Sequence, residues 1–480
     1  MNASPQLYDE RLSRYLTAMR NGKPDKIPIR PFVAEFTAKY AGMTCQDVAH
    51  DYHRAFEAVI RCGRDFDWDA MVANMVWVWT GLTEAIGLDY YGVPGIHVPP
   101  TTGFQYREPE EDQSFMRSDE YDELIDDPTA FLYTKWLPRV SRRITAPGEP
   151  SDYRSHLALV KGSMAMLQYF SALGPQCERM KNECGTVSAI AGIFKAPFDI
   201  IGDKLRGYLG LTMDMIEQPD KVLEACEALM PHLHHVGATT ADPAGQVPIG
   251  FWMHRGCEPF VSRGQFESHY WPTLKPIIEE FWKAGHQTLF YAEGDWTSHL
   301  SHFTELPDQS VVYHVDRGDL EAAHRTLGHK FCLSGGIPNA VLSFGTPDEV
   351  RAHCKRAIDT AGRDGGYIMD ASAIMQDDTS IENLRALTDF ARDYGVYSDG
   401  RSEPLAECPT IGPEPDTEFP PGYGMPENGA SDPKPGICIP WEEEERELPE
   451  IQGDRELVRN VWENNEALGN MFIWQCLLSF

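Results

Sequence analysis

Short apolar runs alternate with longer stretches of helical periodicity over the first 400 residues of the chain. Eight runs are apolar almost throughout, which is typical of parallel strands buried on both faces. They predict strands at Lys26–Val33, Asp69–Met75, Val187–Ile193, Val247–Met253, Thr288–Ala292, Val311–Val315, Phe331–Ser334 and Tyr367–Asp370. Because strand and helix alternate eight times, the pattern predicts an α/β fold, a (β/α)8 TIM barrel. A doubly wound sheet is the alternative, but the glycine-rich turn that usually follows its first strand is missing.

The segments between the strands predict helices. Apolar residues recur at helical spacing in Val222–Val236, where Pro231 is expected to kink or split the helix, and in Phe266–Lys283. Thr346–Glu349 is a capping box with proline in its first turn, and Thr379–Glu382 repeats the box. A helix is therefore expected to begin at each box.

The composition changes near residue 400. Residues 401–440 hold ten prolines, and residues 401–480 carry a net charge of −12. A helix is expected over about 453–469, and residues 471–480 are strongly apolar. We therefore divide the chain into a barrel, 1–400, and a proline-rich, acidic C-terminal extension, 401–480. Its apolar end predicts a strap packed on its own domain or on a dimer mate; a lid or docking surface is the alternative, and a homodimer is left open.

The net charge of the whole chain limits the classes of molecule that it is expected to bind. A net charge of −31 over 480 residues repels phosphate backbones and anionic membranes, so neither nucleic acid nor a membrane surface is expected as a partner. No apolar run is long enough to span a bilayer. The eleven cysteines are scattered, with no C-x-x-C pair, and the charged N-terminus is unlike a secretory signal. These features predict a cytoplasmic protein with reduced thiols.

In a barrel of this type the chemistry lies at the carboxyl ends of the strands. Carboxylates and imidazoles recur there, and such groups are costly after apolar strands unless they are paired, hydrogen-bonded or bound to metal. The residues concerned include His254, Glu293, Asp295, His314, Asp316 and Asp370.

Glu293 and His314 follow adjacent predicted strands, so both side chains are expected to point at one spot. A carboxylate and an imidazole suit zinc, with a third ligand from Asp370, Asp316 or Glu258. The alternative is a Glu–His hydrogen bond without metal.

Aromatic residues follow the second predicted strand. Trp77 and Trp79 continue a stripe begun by Met71 and Met75. Core packing is the ordinary interpretation of such a stripe, and a flat apolar substrate pocket is the alternative.

The order of several short motifs resembles that of the uroporphyrinogen decarboxylase superfamily. The resemblance covers roughly residues 10–397, and the tail from 401 lies outside it. The motifs are Lys26-Ile-Pro-Ile-Arg30, Tyr40-Ala-Gly-Met-Thr44, Ala196-Pro197-Phe198, Leu205-Arg206-Gly207, Gln218-Pro219-Asp220, Gly336 to Val350, and Ile381 to Leu384.

The resemblance implies a TIM barrel and one of two activities: metal-free decarboxylation of uroporphyrinogen, or methyl transfer involving corrinoid proteins, usually with zinc. The arginine-rich segment by which the decarboxylases grip propionates is replaced here by Phe32 to Tyr40, with one lysine and one glutamate. An eight-carboxylate substrate would be poorly held, so decarboxylation of uroporphyrinogen is disfavoured.

The thiol methyltransferases of the superfamily hold zinc through H-x-C on one strand and a later cysteine. This chain has Tyr291-Ala292-Glu293 and Asp370-Ala371-Ser372 at those places. With Glu293, His314 and Asp370 as ligands, zinc would be a harder Lewis acid that suits an oxygen substrate. The sequence therefore looks most like the O-demethylase branch, which acts on methoxylated aromatics.

That resemblance implies roles for further residues. Phe36, Trp77 and Trp79 are candidates for an aromatic substrate pocket. His254, Asp295 and Asp316 are candidate catalytic residues, of which His254 or Asp295 would protonate or orient the leaving oxygen. The D-x-H-x-x-G motif of corrinoid-binding modules is absent from the sequence, so a partner protein would supply the corrinoid. The alternatives are a decarboxylase or lyase acting on another carboxylic acid, and a non-catalytic barrel that binds a corrinoid or tetrapyrrole.

Overall fold

Parallel strands form the centre of the computed structural model, which describes residues 5–76, 80–107, 109, 113–400 and 434–479. Six of them lie side by side in the order β5-β6-β7-β8-β9-β10. The strands within these residues are β1 (Ala70–Met71), β2 (Tyr91–Gly92), β3 (Gln105–Tyr106), β4 (Val187–Ser188), β5 (Ile193–Phe194), β6 (Ile249–Met253), β7 (Thr288–Ala292), β8 (Val311–Val315), β9 (Cys332–Gly335) and β10 (Tyr367–Ile368), of which β2 and β3 form a separate antiparallel pair.

Backbone hydrogen bonds continue the sheet beyond both of its edges. At the β10 edge, Met369 donates to Pro28 O at 2.9 Å, and Asp69 donates to Ile29 O at 2.9 Å. β1 then pairs in parallel with β4, and Ala191 donates to Pro248 O at 3.1 Å. The first predicted strand is thus present as isolated bridges and the third as two short pieces. The predicted (β/α)8 barrel is confirmed.

Helices surround the strands. The α-helices are α1 (Pro5–Met19), α2 (Phe36–Ala41), α3 (Cys45–His50), α4 (Tyr52–Asp65), α5 (Thr80–Ile86), α6 (Tyr121–Asp126), α7 (Pro128–Phe131), α8 (Leu137–Val140), α9 (Tyr153–Arg179), α10 (Pro197–Ile200), α11 (Gly207–Glu217), α12 (Pro219–Thr239), α13 (Arg263–Gln265), α14 (Trp271–Lys283), α15 (Leu300–Phe303), α16 (Leu320–Leu327), α17 (Asn339–Phe344), α18 (Pro347–Ala357), α19 (Ile381–Tyr394), α20 (Trp441–Glu447) and α21 (Arg455–Ser479). Wider π-helical turns occupy Leu132–Trp136, Met180–Cys184, Ile201–Leu205, Phe266–Tyr270 and Ile358–Gly362, and a 3-10 turn occupies Thr297–His299.

Local signals set most helix boundaries. The box at Thr346 is present, since its side chain accepts a hydrogen bond from the Glu349 amide. The box expected at Thr379 is wrong by one residue, because Ser380 caps α19. Pro231 does not split α12, which runs unbroken past it.

The C-terminal extension packs on the barrel over its described part. The indole of Trp474 in α21 stacks on His232 of α12, with ring centroids 5.0 Å apart, and donates to Thr129 Oγ1 at 3.1 Å. α21 continues to Ser479, ten residues beyond the predicted end of the helix. Among the described residues, no helix has the length and apolar character needed to cross a membrane. The division of the chain at residue 400 stays a prediction.

Candidate active site

Five charged side chains meet at the carboxyl ends of three neighbouring strands, and we call them the mouth cluster: Lys195, Asp199, Asp203, His254 and Glu293. Lys195 follows β5, His254 follows β6 and Glu293 follows β7. Since parallel strands end at the same rim of the barrel, these three side chains come together there. Asp199 lies in α10 and Asp203 in the π-helical turn that continues it.

His254 lies between two carboxylates. Its Nε2 lies 2.5 Å from Oε2 of Glu293, and its Nδ1 lies 2.9 Å from Oδ2 of Asp203. Both ring nitrogens donate when the imidazole is protonated, so this arrangement stabilises the imidazolium. The side chains of His254 and Glu293 are about a third exposed, at 32% and 30%, whereas that of Asp203 is buried.

Asp203 is held by three cations. Lys195 Nζ donates to its Oδ2 at 2.7 Å, and Arg255 Nε donates to its Oδ1 at 2.6 Å. With His254 on Oδ2 as well, both carboxylate oxygens are occupied. Asp203 therefore fixes the imidazole rather than facing a ligand.

Asp199 has a different environment. Its Oδ1 accepts from the backbone amides of Arg255 at 2.5 Å and His254 at 3.3 Å, and its Oδ2 accepts from the Tyr270 hydroxyl at 2.8 Å. It anchors the segment that carries His254.

The acid–base properties of the cluster follow from these contacts. Desolvation disfavours the charged imidazole, but Glu293 and Asp203 outweigh it and raise the pKa of His254 to about 9. Burial would raise the pKa of Asp203, yet Lys195 and His254 hold it well below its usual range. Burial and the nearby Asp203 raise the pKa of Asp199 above its usual value. Two carboxyls four residues apart are thus driven in opposite directions, which is a mark of acid–base sites.

The cluster opens on a cavity of about 230 Å³. The cavity is lined by Tyr91, Ile193, Phe194, Lys195, Lys204, Trp252, His254, Glu293, Ile374 and Leu478. Aromatic and aliphatic walls with a few converging polar groups are typical of small-molecule sites. Leu478 comes from α21, so the extension contributes to this wall.

The structure does not bring the three predicted metal ligands together. Tyr291 of β7 lies opposite His314 of β8, so Glu293 lies two residues, roughly 6.6 Å, further toward the mouth. His314 is instead buried in the barrel, and burial together with Arg30 holds its pKa well below the usual value.

The nitrogens of His314 are also occupied. Nε2 lies 2.9 Å from the carbonyl oxygen of Ser372, and Nδ1 lies 2.9 Å from Ser334 Oγ. The Arg30 guanidinium lies between His314 and Asp370, with Nη2 at 3.3 Å from Nδ1 and at 3.2 Å from Oδ2 of Asp370. A cation at that position is incompatible with a metal ion held by this pair, so the predicted zinc ligand set does not fit. Within the described ranges no three histidine, cysteine or acidic side chains are grouped to hold a metal.

The other predicted site residues are dispersed. Asp295 is exposed and accepts from the Thr297 amide and hydroxyl at 2.9 and 2.6 Å, so it closes a local turn. Asp316 accepts from the Gly294 amide at 2.9 Å and does not line the cavity.

The predicted aromatic pocket is not formed by Phe36, which is buried in α2 against Tyr40 and Phe66, both with ring centroids 6.1 Å away. Trp77 and Trp79 lie outside the described residues. Among the described residues, the aromatic side chains that line the cavity are Tyr91, Phe194 and Trp252.

Sequence reasoning missed Lys195, Asp203 and Lys204. One signal was present: Lys195 directly follows the apolar pair Ile193–Phe194, which is the same placement that singled out His254. Because the third strand is broken between β4 and β5, its predicted end at Ile193 fell two residues before this lysine.

A parallel barrel with an acid–base cluster and a cavity at the carboxyl ends of its strands defines an enzyme of the (β/α)8 class. The family model described as uroporphyrinogen decarboxylase (URO-D) matches residues 148–394, just over half of the chain. The chain therefore belongs to the uroporphyrinogen decarboxylase family. Among solved structures, a methyltransferase from Methanosarcina mazei is similar, with a TM-score of 0.50 and 14% identity over 79% of this chain and 98% of that one. No curated protein matches the chain.

Proposed function

We propose that this chain transfers a methyl group from a methoxylated aromatic compound to the cobalt of a corrinoid carried by a partner protein. The observation that carries the proposal is the position of the His254 imidazole, which is held between Asp203 and Glu293 and faces an aromatic-walled cavity at the barrel mouth. Ether cleavage needs such a group, because the departing oxygen must acquire a proton or equivalent stabilisation. The similar methyltransferase from Methanosarcina mazei supports the reaction class by analogy of fold.

The residues would act as follows. Trp252, Tyr91 and Phe194 hold the aromatic ring of the donor. A reduced corrinoid, when bound, supplies the electron pair that attacks the methyl carbon. The electrons of the breaking carbon–oxygen bond stay on the donor's oxygen, which takes the proton shared by His254 and Glu293. Asp203 keeps its hydrogen bond to Nδ1 and so holds the ring in place.

In this proposal the proton of the His254–Glu293 pair takes the role that the resemblance would give to zinc. Because Glu293, His314 and Asp370 do not fit a zinc ion, no step passes through one. A methoxylated aromatic remains the expected donor, since a phenoxide, whose conjugate acid has a pKa of about 10, is an easier leaving group than an alkoxide.

The test follows methyl transfer and phenol release together. The anaerobic protein is mixed with chemically reduced cobalamin and a panel of methoxylated aromatics, while cob(I)alamin absorbance is followed and the released phenol is measured. We expect the absorbance to fall in step with phenol release, for certain donors only. The same panel is repeated with the natural corrinoid protein from the source organism. If neither acceptor yields phenol from any donor, the proposal is wrong; release of carbon dioxide from carboxylic acids in the same mixtures would favour the decarboxylase alternative.

A series of donors tests the role of His254. We expect the rate lost in His254→Gln to shrink as electron-withdrawing substituents make the phenol more acidic, because a better leaving group needs less help from an acid. An equal loss for all donors would show that His254 does not protonate the leaving oxygen.

A further inference from the structure

Lys204 is a buried lysine in the wall of the cavity. It follows Asp203 in the π-helical turn Ile201–Leu205 and is only 3% exposed. Its Nζ lies 4.1 Å from the centroid of the Tyr90 ring. The ammonium therefore lies over an aromatic face, a weakly attractive cation–π contact, and the side chain also lines the cavity.

The carboxylates near Lys204 are already paired with other cations. Both oxygens of Asp203 are taken by Lys195, His254 and Arg255, and Glu293 is paired with His254. Throughout the part of the chain that the structure describes, Lys204 Nζ forms no hydrogen bond or ion pair. Lys195, by contrast, donates to Asp203 at 2.7 Å.

An unpaired buried ammonium is costly, so such a group shifts toward its neutral form. Burial and the charge of Lys195 together hold the pKa of Lys204 well below its usual value, and Asp203 opposes them only in part. An anionic group entering the cavity would supply the missing counter-ion. The charged groups that act on Lys204 are Lys195 and Asp203. His254, Glu293 and Tyr91 line the same cavity, and the Tyr90 ring packs against the ammonium. Arg255 and Tyr106 contact the neighbouring Asp203.

We propose that Lys204 binds a carboxylate of the cavity's ligand, so that the methyl donor is a single-ring aromatic acid. The volume of about 230 Å³ lies below the roughly 300–1,000 Å³ of sites for drug-sized ligands, and it suits one substituted ring. Lys204 holds the carboxylate and the His254–Glu293 pair receives the ether oxygen. The assignment of the methoxy group rests on the proposed function, whereas the carboxylate site does not.

The experiment is calorimetric titration of the full chain with benzoate, 4-methoxybenzoate and the neutral 4-methoxybenzamide. We expect both acids to bind, and the amide to bind more weakly than 4-methoxybenzoate. Equal affinity for 4-methoxybenzoate and its amide, or no binding of either acid, would each overturn the proposal.

Lys204→Met, which keeps the length of the side chain, provides the second arm, with Lys161→Met on the exposed face of α9 as a matched control. Loss of one hydrogen bond to a charged group predicts about a 10- to 100-fold weaker binding of the acids, with the amide almost unchanged. An equal loss for acid and amide would indicate a structural role for Lys204. Since benzoate has no methyl group to transfer, its Lys204-dependent binding without turnover of any donor would leave this inference standing and refute the proposed function.

Discussion

The two ends of the barrel both hold buried charges, but they use them differently. At the amino ends of the strands, Asp69 accepts from the Ile29 amide at 2.8 Å, from Arg392 at 2.7 Å and from Arg14. Arg14 also forms a two-point ion pair with Asp25, at 2.7 and 2.8 Å. We call Arg14, Asp25, Asp69 and Arg392 the basal cluster. Each of its carboxylates has a guanidinium partner, and its centre is closed to solvent.

The pKa values express the same contrast. Burial would raise the pKa of Asp69, but Arg392 and Arg14 outweigh it and the pKa lies below its usual value; that of Asp25 moves in the same direction. In the mouth cluster, Asp199 and Asp203 are driven apart, His254 is about a third exposed, and the cluster borders a cavity. The basal cluster, which is closed to solvent, holds strands together. The mouth cluster borders a cavity, and the pKa values of its two aspartates are shifted in opposite directions, so it can exchange protons with a ligand. Buried charge alone therefore does not identify an active site.

The sharpest test of this contrast is His254→Gln. We expect kcat/KM for methyl transfer to fall by about 10²- to 10⁴-fold, the usual contribution of a general acid, with little change in the free energy of unfolding. Donor kinetics and urea unfolding measure the two quantities. His353→Gln in the outer helix α18 is the control and should leave both unchanged. If His254→Gln loses stability in proportion to its activity, the mouth cluster has a structural role, like the basal cluster.

The opposite pattern is expected for Asp69→Ala. The substitution removes the buried carboxylate that Arg14 and Arg392 share and leaves each with only its more exposed partner, Asp25 or Asp67, so the free energy of unfolding should fall by about 3–5 kcal/mol. Asp67→Ala is the matched control: the Asp67 side chain is 52% exposed and pairs with Arg11 and Arg392, so its loss should cost no more than about 1 kcal/mol. Urea unfolding compares the two, and equal losses would show that the basal cluster does not depend on burial.

A pH profile should separate the clusters next. The acid form of His254 is present below its pKa of about 9, so kcat/KM is expected to fall tenfold per pH unit as the pH rises above 9. In His254→Gln this fall of kcat/KM above pH 9 should be absent. The carboxyls of the basal cluster have lowered pKa values, so their contribution to stability is present at neutral pH and is lost as the pH falls through those values in acid. If kcat/KM instead begins to fall near pH 6.5, the ordinary pKa of histidine, Glu293 and Asp203 do not raise the pKa of His254 in solution.

The sequence predicted the barrel because its central strands are continuous apolar runs: β7 and β8 have the predicted bounds to the residue. It could not place side chains along those strands. Glu293 and His314 follow the same pattern in the chain, but the register sets Tyr291 opposite His314 and so separates their side chains by two residues. Register depends on pairing between strands, which one sequence does not show.

Asp203, a partner of His254, and the cavity residue Lys204 were missed for another reason. Asp203 and Lys204 lie in a π-helical turn, where the spacing that sequence patterns assume does not hold. His254 itself was found, because it ends an apolar strand. What the sequence could not reveal was that the carboxylates of Asp203 and Glu293 lie on either side of its ring.

The smallest expected effect concerns the extension. Leu478 of α21 lines the cavity, so Leu478→Ala should raise KM for a single-ring donor by about tenfold or less and leave kcat unchanged, because the contact is the same before and during the reaction. Steady-state kinetics with a short and a bulkier donor measure this, and the bulkier donor should gain relative to the shorter one. Leu468→Ala, at an exposed position of the same helix, is the control. If the two variants have the same kinetics, the C-terminal extension does not shape the cavity. The substrate-binding wall at the carboxyl ends of the strands is then formed by the barrel alone.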